Sequence, residues 1–166
     1  MISIEERRFE LVLRLTNLAD TPMPAGLGIH PWFRRPVAVA IRARFVHPSN
    51  LASEAEPIPV TGPFDRSMLE PLPDGLDAAW TGIGEPPVVL SWPELELAAT
   101  LEFDAPERFV VAASPPEIDA VAVEPQTHAP AGIRRLQRGE PGGLVLIDPG
   151  DALTLAVRLD FDRAQT

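Results

Sequence analysis

The stretch Phe9-Glu10-Leu11-Val12-Leu13-Arg14-Leu15 sets an apolar side chain at every second position, with Glu10, Val12 and Arg14 between them. A period of two is that of a β-strand covered on one face. The same spacing recurs at Leu95, Leu97, Ala99, Leu101 and Phe103, and again at Leu153, Leu155, Val157, Leu159 and Phe161. Three half-buried strands are predicted. Shorter strand-like runs lie at residues 37–46, 87–92, 108–113, 120–124 and 143–147. Turn-formers such as Asp74-Gly75, Asp104-Ala105-Pro106 and Asp148-Pro149-Gly150 separate them.

Twenty prolines are spread along the chain, and proline cannot donate to an interior ladder, so they belong in loops and at sheet edges. No segment shows helical periodicity. The expected class is therefore all-β. Alternation alone leaves a sandwich and a barrel both open, and two packed antiparallel sheets are the favoured arrangement. Residues 49–75, rich in proline and acids with little periodicity, read as a long excursion over the sheet. With no internal repeat and no linker, residues 1–166 are expected to form one domain.

A formal net charge of -10 is the wrong sign for nucleic acid, and a membrane surface or other polyanion is equally disfavoured. No apolar run approaches the roughly 18 residues of a membrane span. All 14 basic residues are arginine, and without lysine there is no Schiff base, pyridoxal phosphate attachment or P-loop. Without cysteine there is no disulfide, thiolate nucleophile, iron–sulfur cluster or cysteine-bound zinc. Neither cofactor nor metal is expected. Met1 is followed closely by Glu5, Glu6, Arg7 and Arg8 with no apolar export segment, so a cytoplasmic location is expected.

Two further stretches carry candidate chemistry. Gly26-Leu27-Gly28-Ile29-His30-Pro31-Trp32-Phe33, preceded by Asn17 and by Pro22-Met23-Pro24, holds a histidine between backbone-restricting residues and two large aromatics. Histidine exchanges protons near neutral pH, although one beside aromatics is also an ordinary core or loop residue. Val121-Ala122-Val123-Glu124-Pro125-Gln126-Thr127-His128 is an apolar, strand-like run ending in a carboxylate and a proline. An acid and a base can converge from these two stretches.

Taken in order, these residues resemble the aldose 1-epimerase (galactose mutarotase-like) family. The strand beginning at Phe9, then Asn17, then Pro22 through the Gly28-Ile29-His30-Pro31-Trp32-Phe33 run, is similar to the family's histidine segment. Gly75-Leu76-Asp77-Ala78-Ala79-Trp80-Thr81-Gly82 resembles its aspartate segment, and Val123-Glu124-Pro125-Gln126-Thr127-His128 its glutamate segment. Leu146-Ile147-Asp148-Pro149-Gly150-Asp151 looks like the closing turn before the last strand. The resemblance implies an antiparallel β-sandwich of the galactose mutarotase-like type that interconverts the α and β anomers of a hexose or hexose phosphate. It implies His30 as general acid, Glu124 as general base and Asp77 as a binder of sugar hydroxyls. The family carries a further block of sandwich before the strand at Phe9, where only eight residues stand here. The chain thus reads as the C-terminal part of such an enzyme, an incomplete sandwich whose exposed edges invite homo-oligomerisation.

Mutarotation opens a hemiacetal and closes it on the other face, so one proton leaves the anomeric hydroxyl while another reaches the ring oxygen. A carboxylate suits the first task and an imidazolium the second, an ordinary imidazole pKa lying near 6.5. Trp32 and Phe33 can each stack on a pyranose or fill the core, and one of the two is expected in the pocket. His128 is a further candidate to complete the pocket or orient the base, although Ala129-Pro130 after it suggests an exposed loop. Asp77 has the alternative of a turn residue. His47 reads as a surface or turn residue, and Arg34-Arg35 as a solvated pair with the alternative of meeting a sugar phosphate. Two rival functions remain open. One is a noncatalytic carbohydrate-binding or structural β-domain; the other is a metal-dependent β-barrel enzyme using His30, Glu124 and His128, whose spacing is no recognised ligand signature.

Overall fold

The alternating run at Phe9 forms the second strand of the structure, a computed structural model describing residues 1–49 and 56–164. The chain runs β1 (Ile2–Glu5), β2 (Arg8–Thr16), β3 (Met23–Ala25), β4 (Trp32–Arg34), β5 (Ala38–Ile41), β6 (Phe45–His47), β7 (Ile58–Pro59) and β8 (Glu70–Pro71). It continues through β9 (Asp77–Thr81), β10 (Val88–Trp92), β11 (Leu97–Asp104), β12 (Phe109–Ala113), β13 (Ala120–Gln126), helix α1 (Gly132–Arg138), β14 (Val145–Ile147) and β15 (Ala152–Arg163). Seven strands form one sheet in the order β1-β2-β15-β11-β10-β5-β8, and six form a second in the order β4-β13-β12-β9-β6-β7. A ribbon of β3 and β14 completes the architecture. The all-β, antiparallel class expected from the alternation is the class observed.

Register carries the sequence pattern into the core. β15 lies between β2 and β11, so Leu159 faces both Phe9 and Leu101, and Val157 faces both Leu11 and Phe103. Buried Leu101, Leu155, Val157 and Leu159 cluster with Val46, Trp80, Val110, Val121 and Val123 of the other sheet. On the outer face the same register aligns Glu10, Arg158 and Glu102, and Arg158 pairs with Glu102 and, at 2.8 Å, with Asp160. Such half-exposed cross-strand charges contribute at most about 1 kcal/mol each, so apolar burial dominates.

Residues 37–46, read as one strand, divide into β5 and β6, which belong to different sheets. At the corner Arg42 N–H bonds to Pro87 O and Arg44 N–H to Thr81 O, so the chain changes ladder between them. Leu95, expected to open a strand, ends a 3-10 turn at Pro93–Leu95, and Glu96 is left-handed at φ 48°, which delays β11 to Leu97. Helix α1 was not expected at all. Seven residues make about two turns, too short for a helical period to show. Its Gly139 cap, at φ 67°, donates to Arg135 O and Leu136 O, and buried Arg135 donates from Nε to Pro130 O at 3.1 Å. Residues 50–55 of the expected excursion lie outside the described residues; its described part holds only β7, β8 and a 3-10 turn at Gly62–Phe64. Among the described residues no helix is long and apolar enough to cross a membrane.

Candidate active site

Residues 27–34 run antiparallel to β13 in one unbroken register. Ala122 stands opposite Trp32, and Gly28 bridges Gln126. Between and beyond them, Val123 N–H reaches Pro31 O (3.3 Å), Ile29 N–H reaches Pro125 O (3.2 Å) and Thr127 N–H reaches Leu27 O (2.9 Å). That register sets His30 opposite Glu124. Pro31 and Pro125 have no N–H, so the rung on either side of this pair carries one hydrogen bond rather than two. His30 and Glu124 are accordingly a non-hydrogen-bonded cross-strand pair, the kind in which facing side chains come closest. Imidazole Nε2 lies 3.1 Å from carboxylate Oε1.

The environments of the two groups differ. The Glu124 side chain is 9% exposed and that of His30 56%, so a buried carboxylate sits beneath an imidazole open to solvent. Gln126 Nε2 donates to Glu124 Oε2 at 3.1 Å. Burial raises the Glu124 pKa above the ordinary carboxylate value; His30 and the Gln126 hydrogen bond pull it down, and Asp77 adds to the rise. A carboxylate shifted toward neutrality is a better proton acceptor near pH 7. His30 stacks on Trp32, with ring centroids 5.1 Å apart and planes 26° from parallel.

Asp77 opens β9, two strands away from β13 with β12 between. Register aligns Asp77 with Ala113 and Ala122, and Ala79 with Val111 and Glu124. Asp77 thus lies two strands across and two residues along from Glu124, roughly 12 Å between backbone positions at about 4.8 Å per strand and about 3.4 Å per residue, with Ala79, Val111, Ala113 and Ala122 as the floor between.

The remaining candidates divide. Trp32 is 45% exposed on the site face, whereas Phe33, also expected as a possible sugar contact, is 8% exposed in the core against Trp92. Adjacent strand residues point to opposite faces, so only one of the two can serve the site. His128 is not in the exposed loop expected from Ala129-Pro130, both of which are buried. Its ring packs against Gly26 and Gly132, where an added Cβ would come within 2.7 Å of Nδ1 and 2.8 Å of Cδ2, and burial lowers its pKa. His47, read as a surface residue, is 2% exposed, packs beside Phe109 and shares the cross-strand row of Ala79, Val111 and Glu124. The alternation of Phe45 and His47 on a three-residue strand was too brief a signal to reveal it. Asn17 is a structural staple, donating from Nδ2 to Thr21 O and Ile147 O, each at 2.9 Å. Arg34 pairs with Asp119 at 3.6 Å and stays exposed. Among the described residues no three His, Asp or Glu side chains gather as a metal site. A cavity of about 450 Å³ lies elsewhere, on the outer face of the seven-stranded sheet beside Glu10, Glu102 and Arg158.

This sandwich has the galactose mutarotase-like fold. A candidate aldose 1-epimerase from Escherichia coli K12 matches it with a TM-score of 0.80 at 21% identity, over 98% of this chain and 58% of that one. A galactose mutarotase-like protein from Clostridium acetobutylicum matches with a TM-score of 0.77 at 14% identity, over 93% of this chain and 52% of that one. An aldose epimerase homologue from C. elegans matches with a TM-score of 0.76 at 15% identity, over 99% of this chain and 59% of that one. The chain therefore spans between half and two thirds of the length of these structures, and at such identities the likeness establishes the fold. No protein-family model and no curated protein matches the sequence.

Proposed function

We propose that the protein is an aldose 1-epimerase, interconverting the anomers of a hexose or hexose phosphate in the cytoplasm. The observation that carries this reading is the 3.1 Å contact between His30 Nε2 and Glu124 Oε1 beside an exposed tryptophan ring. In the reaction Glu124 takes the proton of the anomeric hydroxyl while protonated His30 gives one to the ring oxygen. The open-chain aldehyde turns, and the reverse transfers close it. Asp77 accepts hydrogen bonds from sugar hydroxyls across the floor, and Trp32 meets an apolar sugar face. The 3.1 Å separation is that of two groups bonded to each other, so an incoming sugar replaces this contact with bonds to its own hydroxyl and ring oxygen.

Freshly dissolved α-glucose, α-galactose and glucose 6-phosphate, followed by polarimetry or exchange NMR, should reach anomeric equilibrium faster with the protein than without it. His30→Asn should lose rate by roughly 10²- to 10⁴-fold with little change in KM, because a proton donor is removed and a polar group kept. No acceleration with any of the three sugars would reject the enzyme. Sugar binding without turnover would favour the noncatalytic carbohydrate-binding domain.

We infer too that two copies of this 166-residue chain associate through β1. Met1 and Val12 exchange both backbone hydrogen bonds, so in β1 the backbone groups of Ile2 and Ile4 point to the open edge. Antiparallel pairing about Ser3 sets Ile2 opposite the partner's Ile4 in hydrogen-bonded register, and their side chains are 66% and 78% exposed. Sedimentation velocity should show a coefficient that rises with concentration in wild type and stays constant in Ile4→Lys. A wild type that remains monomeric at all concentrations excludes the pairing.

A further inference from the structure

We propose that Gln126 is the positioning residue for the Glu124 carboxylate, and that Gly28 leaves the space in which it works. The inference rests on the catalytic reading of Glu124 and adds to it the residue that holds its second oxygen. Glu124 has two oxygens with different duties. Oε1 faces His30 Nε2 at 3.1 Å, and Oε2 accepts from Gln126 Nε2 at 3.1 Å. An ionised carboxylate only accepts hydrogen bonds, so the nitrogen of the Gln126 amide is the atom that must face it. The terminal torsion of a glutamate is broad and roughly two-fold, and an untethered carboxylate samples much of it. One fixed oxygen removes that freedom and leaves the other aimed at the imidazole and at whatever hydroxyl enters between them.

The amide suits this duty because it does not titrate. It donates at every pH at which the enzyme works, whereas a histidine or a carboxylic acid there would lose its proton or compete for Glu124's. Among the described residues the charged groups acting on Glu124 are His30 on one side and Asp77 beyond β12, while its own row continues through Val111 of β12 and Ala79 of β9 to the titratable His47 of β6. Gln126 is thus the neutral donor that opposes the penalties of burial and of the Asp77 charge.

Gly28 makes the arrangement possible. It bridges Gln126 across the ladder, and a Cβ built there would stand 3.0 Å from Gln126 Cγ. A side chain at this position would require the glutamine stem to give by a few tenths of an ångström, which moves the amide relative to Oε2. The glycine therefore has a role distinct from chain flexibility: it is a vacancy on the site face, filled by the neighbouring side chain.

The test separates this inference from the catalytic reading by following Glu124 itself. The carboxyl of Glu124 is titrated by ¹³C NMR in wild type, Gln126→Leu and Gly28→Ala, with circular dichroism confirming the fold, and anomer equilibration is measured on the same samples across pH. Gln126→Leu should raise the Glu124 midpoint, move the acid limb of kcat upward with it, and lower kcat at neutral pH by about tenfold with KM little changed. Gly28→Ala should shift both in the same direction by less. An unchanged midpoint in folded Gln126→Leu overturns the proposal whatever the activity. A raised midpoint supports it even where no sample, wild type included, equilibrates a sugar; that result would fail the epimerase reading alone.

Discussion

Glu124→Gln is expected to abolish anomer equilibration, by roughly 10²- to 10⁴-fold, while the variant folds and is no less stable than wild type at neutral pH. The two halves of this result have one cause. Burial raises the Glu124 pKa in the folded protein above its value in the unfolded chain, so the folded state holds that proton more tightly. The stability associated with the protonated group is then fully present below the unfolded pKa. It is lost as pH rises through the folded one. Glutamine carries no charge to bury, so the variant should lack this decline. The His30 charge offsets part of this penalty without reversing it, since burial is the larger effect and the imidazole is more than half exposed. Equilibration measured by polarimetry, beside thermal unfolding at several pH values from 4 to 8, reads both effects. A variant as active as wild type would remove Glu124 from the mechanism. One that loses more stability than wild type as pH rises would contradict burial as the cause of the shift. Loss of activity without loss of stability would mark the usual trade between stability and activity.

The strands with the longest alternation were the most legible. At Phe9, Leu11, Leu13 and Leu15, and again at Leu153, Leu155, Val157 and Leu159, one buried face against one wet face leaves a period of two in the residues themselves. What did not show was the partnership of strands. Nothing in residues 37–46 says that the chain leaves one sheet at Ile41 and joins the other at Phe45, because both halves are apolar and the corner is set by bonds to Pro87 and Thr81. Helix α1 was hidden by its length, and its anchor, Arg135, is buried where its guanidinium donates to the carbonyl of Pro130.

The site was legible in its parts and not in its construction. His30 and Glu124 drew notice as an imidazole beside aromatics and a carboxylate ending an apolar run. The reason they meet is a register extending from Leu27 to Arg34, along which Pro31 and Pro125 erase the donors that would mark a regular strand. Proline, read from sequence as a breaker, here thins a ladder without ending it. Gln126 drew no attention because a glutamine after a proline has no chemistry of its own; its meaning comes from the oxygen it touches. Phe33 and Trp32 could not be ranked from composition, yet strand parity separates them at once when the phase of β4 is known.

Trp80→Ala should be the most destabilising single change in the second sheet. Trp80 is fully buried on β9, paired with Val110 on one side and Val46 on the other, and its indole Nε1 donates to Phe64 O at 3.0 Å. Truncating a buried tryptophan costs about 3–5 kcal/mol, the transfer of the ring plus the cavity left when neighbours relax only in part. Against a total stability of about 5–15 kcal/mol, that is a large fraction. Trp80→Phe keeps most of the volume and loses the N–H, so it should cost less than the alanine variant. Equilibrium urea unfolding of the three proteins gives the order; a Trp80→Ala variant within about 1 kcal/mol of wild type would show that the sheet closes around the gap. The site supplies an independent reading of the same change. Asp77 and Ala79 lie on the other face of β9, three residues and one residue before Trp80, so collapse of the core beneath them tilts the wall opposite Glu124. On the proposed function, Trp80→Phe should therefore equilibrate sugars at the wild-type rate, whereas the folded fraction of Trp80→Ala should show a raised KM, because Asp77, proposed to bind sugar hydroxyls, has moved while the His30 and Glu124 pair, two strands away, has kept its own register.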